Sequence, residues 1–301
     1  MEMSLKDKSI AVIGLGLLGT SLAMALKGKC RELTGWSRQE KVRRYVLDNG
    51  IVDNAPESPS EAVCNADITV LCLPIPVICD FLRQHAGDFK SGAVVTDIGS
   101  VKGIIVRTGE EALTPSGVKF VGSHPMAGTE KTGAFAAFPG LYDHAEVFIT
   151  PTENTDESAL SSVYALWSAV GTAIRVITPD YHDRLVAHTS HISHLLALGI
   201  TLSVLNEDDP QLRRDRFSGC ATGFRDTSRI ASSSPSMWRE IIEANQQPVL
   251  EAIAEFERYF NEIKELIKSG RFDEFEKLFA RGKELRDSWI AYKNSEHNCK
   301  W

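Results

Sequence analysis

Short β-branched apolar runs alternate with helix-like segments along the first part of this chain. Residues 9–14, SIAVIG, form such a run ending in glycine, and LGLLGTSLAMALKGK after it has the apolar spacing of a helix free of proline. The pattern recurs: ELTGWS reads as a strand, KVRRYVLDNG as a helix ending at Gly50, DITVLCLP as a buried strand, VICDFLRQHAGDF as a helix and AVVTDIGS as a strand. Further strands are expected at KFVGSH, AEVFITP and TAIRVITP, with a helix across ESALSSVYALWSAVG between the last two. Alternation of this kind predicts an α/β, doubly wound, mainly parallel sheet of the Rossmann type, placed at residues 1–178.

From residue 179 the pattern changes. DYHDRLVAHTSHISHLLALGITLSVLN has helical spacing with Gly199 its one glycine and no proline. MWREIIEANQQPVLEAIAEFERYFNEIKELIKSG and DEFEKLFARGKELRDSWIAYK are rich in helix formers, with apolar residues at three- and four-residue steps. Residues 179–301 are therefore expected to form an all-helical domain, ending in a loose tail at NSEHNCKW. The stripe Ile253, Phe256, Tyr259, Phe260 and Ile263 suits either a core within one subunit or one shared across a two-fold axis.

Composition narrows the class. The 301 residues are 43% hydrophobic and 24% charged, with no unbroken apolar run approaching the ~18 residues of a membrane span, so a soluble two-domain protein without a membrane partner is expected. The formal charge of -7 offers no basic surface for a polyanion, which argues against nucleic acid and directs attention to single cations as binders of small anions. The start lacks the features of a signal peptide, and the six cysteines have no CxxC or framework spacing; both point to the cytoplasm.

Gly14, Gly16 and Gly19 form G-x-G-x-x-G between the first strand and first helix, with Leu17 and Leu18 at the helix start, the context in which backbone amides receive a dinucleotide pyrophosphate. At the end of the second strand, where NAD enzymes present a carboxylate to the ribose, this chain has Ser37 and Arg38. A hydroxyl beside a guanidinium suits a 2′-phosphate, so NADP is favoured over NAD. DIGSVK ends a strand at the expected crevice and places Ser100 and Lys102 on the nicotinamide side. GSHPMAGTEKTG holds His124 in a glycine-rich loop, where a near-neutral imidazole can take a hydroxyl proton as the carbon loses hydride. His188, His191 and His194 share a helix face, but no zinc constellation accompanies them, so no metal is expected; substrate contact or packing is their role. GCATGFRDTSRIASSSPSMWREI reads as a loop that feeds Arg225 and Arg229 into a cleft ahead of Trp238.

In the order GLGLLGTSLA, DIGSVK, GSHPMAGTEKTG, SHISH and GFRDTSRIASSSPSMWREI, the chain resembles the prephenate and arogenate dehydrogenases over nearly its whole length. The resemblance implies oxidative decarboxylation of a cyclohexadienyl substrate on the route to tyrosine. It implies His124 as proton acceptor, Ser100 orienting it or touching the nicotinamide, and Glu130 organising the pocket. Arg229 matches the arginine that grips a substrate carboxylate, Ser190 and His194 match cleft-lining positions, and Arg225, His191 and Trp238 flank them as contacts or packing residues. A homodimer through the C-terminal helices is implied as well. Two other readings compete: a β-hydroxyacid dehydrogenase or imine reductase, disfavoured because residues 179–210 contain no lysine, and a catalytically silent NADP sensor, disfavoured because Ser100, His124 and Arg229 are all present.

Overall fold

The computed structural model describes residues 4–128 and 131–297, with backbone alone at 296 and 297. Glu130, one of the expected pocket residues, lies outside the described residues. The chain divides into two compact units, residues 1–246 and 247–301.

The first unit opens as the alternation predicts: β1 (Ser9–Ile13), α1 (Leu17–Leu26), β2 (Glu32–Trp36), α2 (Glu40–Asp48), a short α3 (Pro59–Val63), β3 (Ile68–Leu71), α4 (Ile75–Gln84), β4 (Val94–Asp97), α5 (Gly103–Leu113) and β5 (Lys119–Phe120). The five strands pair in parallel in the order β2-β1-β3-β4-β5. Each residue of β1, β3 and β4 is buried, because helices cover both faces of the sheet. The two faces are legible in β1: Ile10 and Val12 enter one core with Leu22, Leu26 and Trp167, while Ala11 and Ile13 enter the other with Ile78, Leu82 and Ile105. The strand order reverses direction at β1, so the crevice beyond the carboxyl ends of β1 and β3 is where a ligand of this architecture binds.

A second, three-stranded sheet follows: β6 (Gly122–Pro125), β7 (Glu146–Thr150) and, after α6 (Glu157–Ala169), β8 (Ala173–Val176). β6 runs antiparallel to β7 and β7 parallel to β8. KFVGSH is thus two strands in two sheets rather than one. Gly122 permits the crossing, since a Cβ there would sit 2.5 Å from Thr150 Oγ1 and 2.6 Å from a Val106 methyl.

Next comes a continuous helical run, α7 (Pro179–Val186), one π-helical stretch (Ala187–His191) and α8 (Ile192–Leu205). By length and composition this run could cross a membrane, with a mean hydropathy of 1.3 in its most apolar window, although polar residues interrupt it too often for one unbroken apolar run. Its first turns are nevertheless tied to the start of α5: Asp183 accepts the backbone N–H groups of Lys102 and Gly103 at 2.7 and 2.8 Å.

After α9 (Pro210–Gly219), the stretch 219–241 read as a cation-bearing loop is largely helical, as α10 (Thr222–Ser228), a 3₁₀ turn (Arg229–Ser232) and α11 (Pro235–Ala244). Asp209-Pro210 and Ser234-Pro235, which look like turn punctuation, are N-caps with proline at the first helical position: Asp209 accepts from Leu212 N at 2.8 Å and Ser234 from Met237 N at 3.4 Å. The helix expected from Met237 onward breaks at Asn245, and α12 (Gln246–Lys268) restarts with Pro248 in its first turn, where a missing N–H costs no hydrogen bond. In the second unit α12 and α13 (Phe272–His297) are joined through Gly270, whose φ of 69° ends the first helix. The last helix reaches His297, so part of the expected tail is helical. Phe260, Phe272, Phe279, Leu285 and Trp289 stand exposed on this unit.

Candidate active site

Gly14 leaves β1 with φ of 101°, and a Cβ there would meet the Cys72 carbonyl oxygen at 2.3 Å. A Cβ on Gly19 would meet the Gly14 oxygen at 2.1 Å, so these two glycines seat α1 against the turn. Gly16 differs: among the described residues no atom beyond its own chain neighbours lies within 4 Å of a Cβ built there, so packing does not demand glycine, and the bare backbone keeps the approach to the α1 N-terminus open. Gly16 is the N-cap of α1 and no side chain caps it, which leaves its first amides available to an anion. Leu17 is buried at the start of that helix, and the carbonyl of Leu18 accepts from the Tyr142 hydroxyl at 3.0 Å. The residues fit a dinucleotide pyrophosphate.

At the end of β2, Ser37 is half-buried, and its hydroxyl oxygen accepts from Gln39 N at 3.3 Å, which leaves its proton to donate elsewhere. Arg38 is exposed beside it. The Arg43 guanidinium buttresses the turn from below, donating to the carbonyls of Ser37 at 2.8 Å and Arg38 at 3.4 Å. Asp53 does not substitute for the missing acid, because its carboxylate accepts from Leu33 N at 2.7 Å, near the opposite end of the strand.

Ser100 lies part-exposed in the loop between β4 and α5, at the crevice. Lys102 does not join it there. Its side chain is fully buried, and its ammonium is bonded to the Asp97 carboxylate and, at 2.8 Å, to the Ser123 carbonyl. The placement of Lys102 on the nicotinamide side is therefore corrected: the cation lies under the loop because Asp97, further held by Gly99 N at 2.7 Å and Ser123 N at 3.2 Å, anchors it inside. Burial pushes the Asp97 carboxyl up and the Lys102 ammonium down, and their mutual attraction opposes both.

His124 projects from β6 rather than from a loop, next to Ser123, whose hydroxyl is bonded to Thr96 and the indole N–H of Trp167. Its Nδ1 lies 2.8 Å from Nε2 of His182, and His182 Nδ1 lies 2.8 Å from the Asp183 carboxylate. Nε2 of His124 has no hydrogen-bond partner among the described residues. Burial, then the charges of His182, Lys102 and His191, hold His124 well below the ordinary 6.5, so it is a neutral base at pH 7.

The π-helical stretch shifts the register of the helix and separates the three histidines of the HTSHISH segment. His191 is buried, with Nδ1 3.2 Å from the Asn245 amide, and burial pushes it down to about 4. His194 packs on Trp238 with ring centroids 4.0 Å apart and the planes tilted by 31°, and it hydrogen-bonds the Ser190 carbonyl at 3.1 Å. His188 is exposed and bonded to the Arg184 carbonyl at 2.9 Å. Insertions of this type recur at functional sites. Arg229 is exposed, and its charge reaches His194, whose pKa burial and that charge lower. Arg225 is exposed and turned to its neighbour Asp226 at 2.9 Å, so the structure does not bring it into this group. Among the described residues no group of three or more His, Cys, Asp or Glu side chains could hold a metal ion. His182, Asp183 and Asn245 were not singled out in the sequence; the one signal was a His-Asp pair just inside a helix start.

Residues 22–176 match the family described as prephenate dehydrogenase, nucleotide-binding domain, and residues 178–281 match prephenate dehydrogenase, dimerization domain. The chain is 30% identical to a cyclohexadienyl dehydrogenase of Zymomonas mobilis, over 97% of this chain and 98% of that one. It is 32% identical to a prephenate dehydrogenase of Lactococcus lactis, over 97% of this chain and 80% of that one. The crystal structure of prephenate dehydrogenase from A. aeolicus, in complex with hydroxyphenyl propionate and NAD+, superposes with a TM-score of 0.86 at 30% identity, covering 95% of this chain and 99% of that one. A Rossmann-type sheet with an open α1 N-terminus, a buried neutral histidine beside its crevice and two matching domains lead to one conclusion: the chain belongs to the prephenate dehydrogenase family, NAD(P)-dependent oxidoreductases of tyrosine biosynthesis.

Proposed function

We propose that this enzyme oxidises and decarboxylates prephenate or arogenate, with His124 as the proton acceptor and NADP preferred to NAD. The observation that carries the reading is His124 itself: a buried, neutral imidazole with one nitrogen engaged by His182 and the other without a partner among the described residues. His124 takes the proton of the ring hydroxyl as that carbon loses hydride. The electron-poor ring then draws the bonding electrons of the opposite ring C–CO₂⁻ bond inward, carbon dioxide leaves and the ring becomes a phenol. A bound dinucleotide would supply the hydride acceptor through its nicotinamide, and the backbone amides at Gly16, Leu17 and Leu18 would hold its pyrophosphate, with Gly14 and Gly19 shaping the turn. Ser100 orients the reacting ends at the crevice, and Ser190, His194 and Trp238 line the substrate side. Arg229, with Arg225 as a further candidate, fixes the carboxylates, and Glu130 helps organise the same pocket, so that the enzyme's work is mainly positioning.

The absence of an acid at the end of β2, together with the donor pair Ser37 and Arg38, supports NADP. Residues 1–178 serve the cofactor and 179–301 the substrate and a homodimer. The exposed apolar side chains of Leu198, Leu202, Phe260 and Phe279, on the part that matches a dimerization domain, support the homodimer. The five described cysteines are all free thiols, as suits a cytoplasmic enzyme. No nucleic acid or membrane partner is proposed. The test is to mix the protein with NADP or NAD and with prephenate or arogenate, and to follow reduced nicotinamide in all four combinations. Turnover strongest with NADP is expected; silence in all four with cofactor bound would overturn the reading.

A further inference from the structure

The proton acceptor needs more than a low pKa. A neutral imidazole carries hydrogen on one nitrogen only, and His124 can act as a base only if the nitrogen facing the substrate holds the lone pair. Which tautomer is present is set by what the other nitrogen touches.

That other nitrogen, Nδ1, meets a second histidine that is itself fully buried. His182 Nε2 lies 2.8 Å from His124 Nδ1, and His182 Nδ1 lies 2.8 Å from Oδ1 of Asp183. The direction of these bonds can be worked out from the far end. The Lys102 and Gly103 backbone N–H groups, which can only donate, point at Asp183 Oδ1 and Oδ2 at 2.7 and 2.8 Å. A carboxyl held this way by backbone donors acts as a carboxylate and accepts the remaining bond too, so His182 Nδ1 donates to it. Neutral His182 then has its lone pair on Nε2 and accepts from His124 Nδ1–H. The lone pair of His124 is left on Nε2.

We propose that His182 and Asp183 are positioning residues that hold His124 in the Nδ1–H tautomer, with Nε2 presented to the substrate hydroxyl as proton acceptor. The inference rests on His124 being that acceptor. The alternative is a protonated His182 donating from Nε2, which would invert the tautomer and disarm the base. Burial disfavours that form, and Lys102 nearby repels it, against the attraction of Asp183 and Asp97. Ring rotation is blocked on two sides, since His182 meets His124 and Phe148 edge-on at 5.1 and 5.5 Å between centroids. Asn245 closes the far end, donating to the Asp183 carbonyl at 2.9 Å while its amide approaches His191 Nδ1. Asp183 therefore does two things: it orients the relay, and it ties α7 to the loop that carries Ser100. As His124 gains the proton it becomes an imidazolium with Nδ1–H still bonded to His182, and the carboxylate behind His182 favours that charge.

Two measurements test this. In histidine-¹⁵N-labelled protein with cofactor bound, the two-bond proton–nitrogen spectrum at pH 7.5 should show His124, assigned by its loss in His124→Asn, protonated on Nδ1 and bare on Nε2. The Nε2–H form would overturn the proposal, and this readout needs neither turnover nor a variant of His182. Kinetically, His182→Leu, which offers no acceptor, should lower kcat about 100-fold with cofactor affinity unchanged, the substrate KM within a few-fold and the pH dependence of kcat altered. His182→Gln, whose amide oxygen can accept from His124 Nδ1–H, should recover most of that loss. A His182→Leu enzyme with normal kcat and an unmoved pH profile would refute the role. Should His182→Leu fail to fold, the spectrum of the unmutated protein decides. If the unmutated enzyme turns over neither substrate while His124 shows the Nδ1–H tautomer, the functional reading fails and the acceptor role with it, and only the tautomer set by His182 and Asp183 stands.

Discussion

Replacing Lys102 by methionine separates a buried structural cation from a cleft residue. The side chain is fully buried, and its loss leaves the Asp97 carboxylate, also fully buried, with only the N–H groups of Gly99 and Ser123. Removing one partner of a buried ion pair costs about 3–5 kcal/mol. A second route gives the same scale. If Asp97 instead takes a proton, keeping a carboxyl of ordinary pKa 3.8 neutral costs about 4 kcal/mol at pH 7, and about 1.5 kcal/mol at pH 5. Urea unfolding of wild type and Lys102→Met at both pH values should therefore show a stability difference of about 4 kcal/mol at pH 7 that shrinks on acidification. Asp97→Asn/Lys102→Met together should lose less than Lys102→Met alone, since no unpaired charge remains. A Lys102→Met protein as stable as wild type, but slow in turnover, would refute the reasoning and return Lys102 to the nicotinamide side.

Arg229→Ala should raise the substrate KM at least tenfold, with a smaller effect on kcat, because a charge-assisted hydrogen bond is worth about 1.5–3 kcal/mol; unchanged steady-state kinetics would make Arg229 an ordinary surface charge. Arg38→Ala should weaken NADP at least tenfold and leave NAD nearly untouched in binding titrations, since only NADP carries the 2′-phosphate; equal losses for both would remove Arg38 from cofactor discrimination. His191 makes stability fall on acidification: pushed down to about 4 in the fold, it stays unprotonated while the unfolded chain binds a proton below 6.5, so its contribution is lost as pH falls from 6.5 towards 4. At pH 5 this amounts to about 2 kcal/mol, and urea unfolding of His191→Gln should show that much less pH dependence between 7 and 5; an unchanged slope would show that His191 titrates normally.

The wound sheet was readable because its signal is local. Strands buried on both faces, such as ITVL and VVTD, are short β-branched runs flanked by further apolar residues, and G-x-G-x-x-G between strand and helix is the dinucleotide fingerprint in its proper context. The split of KFVGSH between two sheets was not readable, since it depends on what Gly122 meets across space, namely Thr150 and Val106. The starts of α9 and α11 were hidden by their caps: Asp209-Pro210 and Ser234-Pro235 serve turns and helix starts alike, and tertiary context decides. His124 was legible from its glycine-rich neighbourhood. Its support was not, because His182 and Asp183 lie 58 and, through Lys102, 81 residues from what they hold. The misplacement of Lys102 has the same origin: a lysine in a loop reads as exposed until Asp97, five residues earlier, turns it inward.

The central claim is that His124 takes the substrate proton, and His124→Asn tests it most directly. Asparagine keeps a polar side chain of similar reach but cannot act as a base near neutral pH. With cofactor binding verified by titration, kcat on the accepted substrate should fall about 100-fold or more, and the wild-type acid limb of kcat/KM, lying below pH 6.5, should vanish. A His124→Asn enzyme that retains near-normal kcat and the same pH profile would contradict the account.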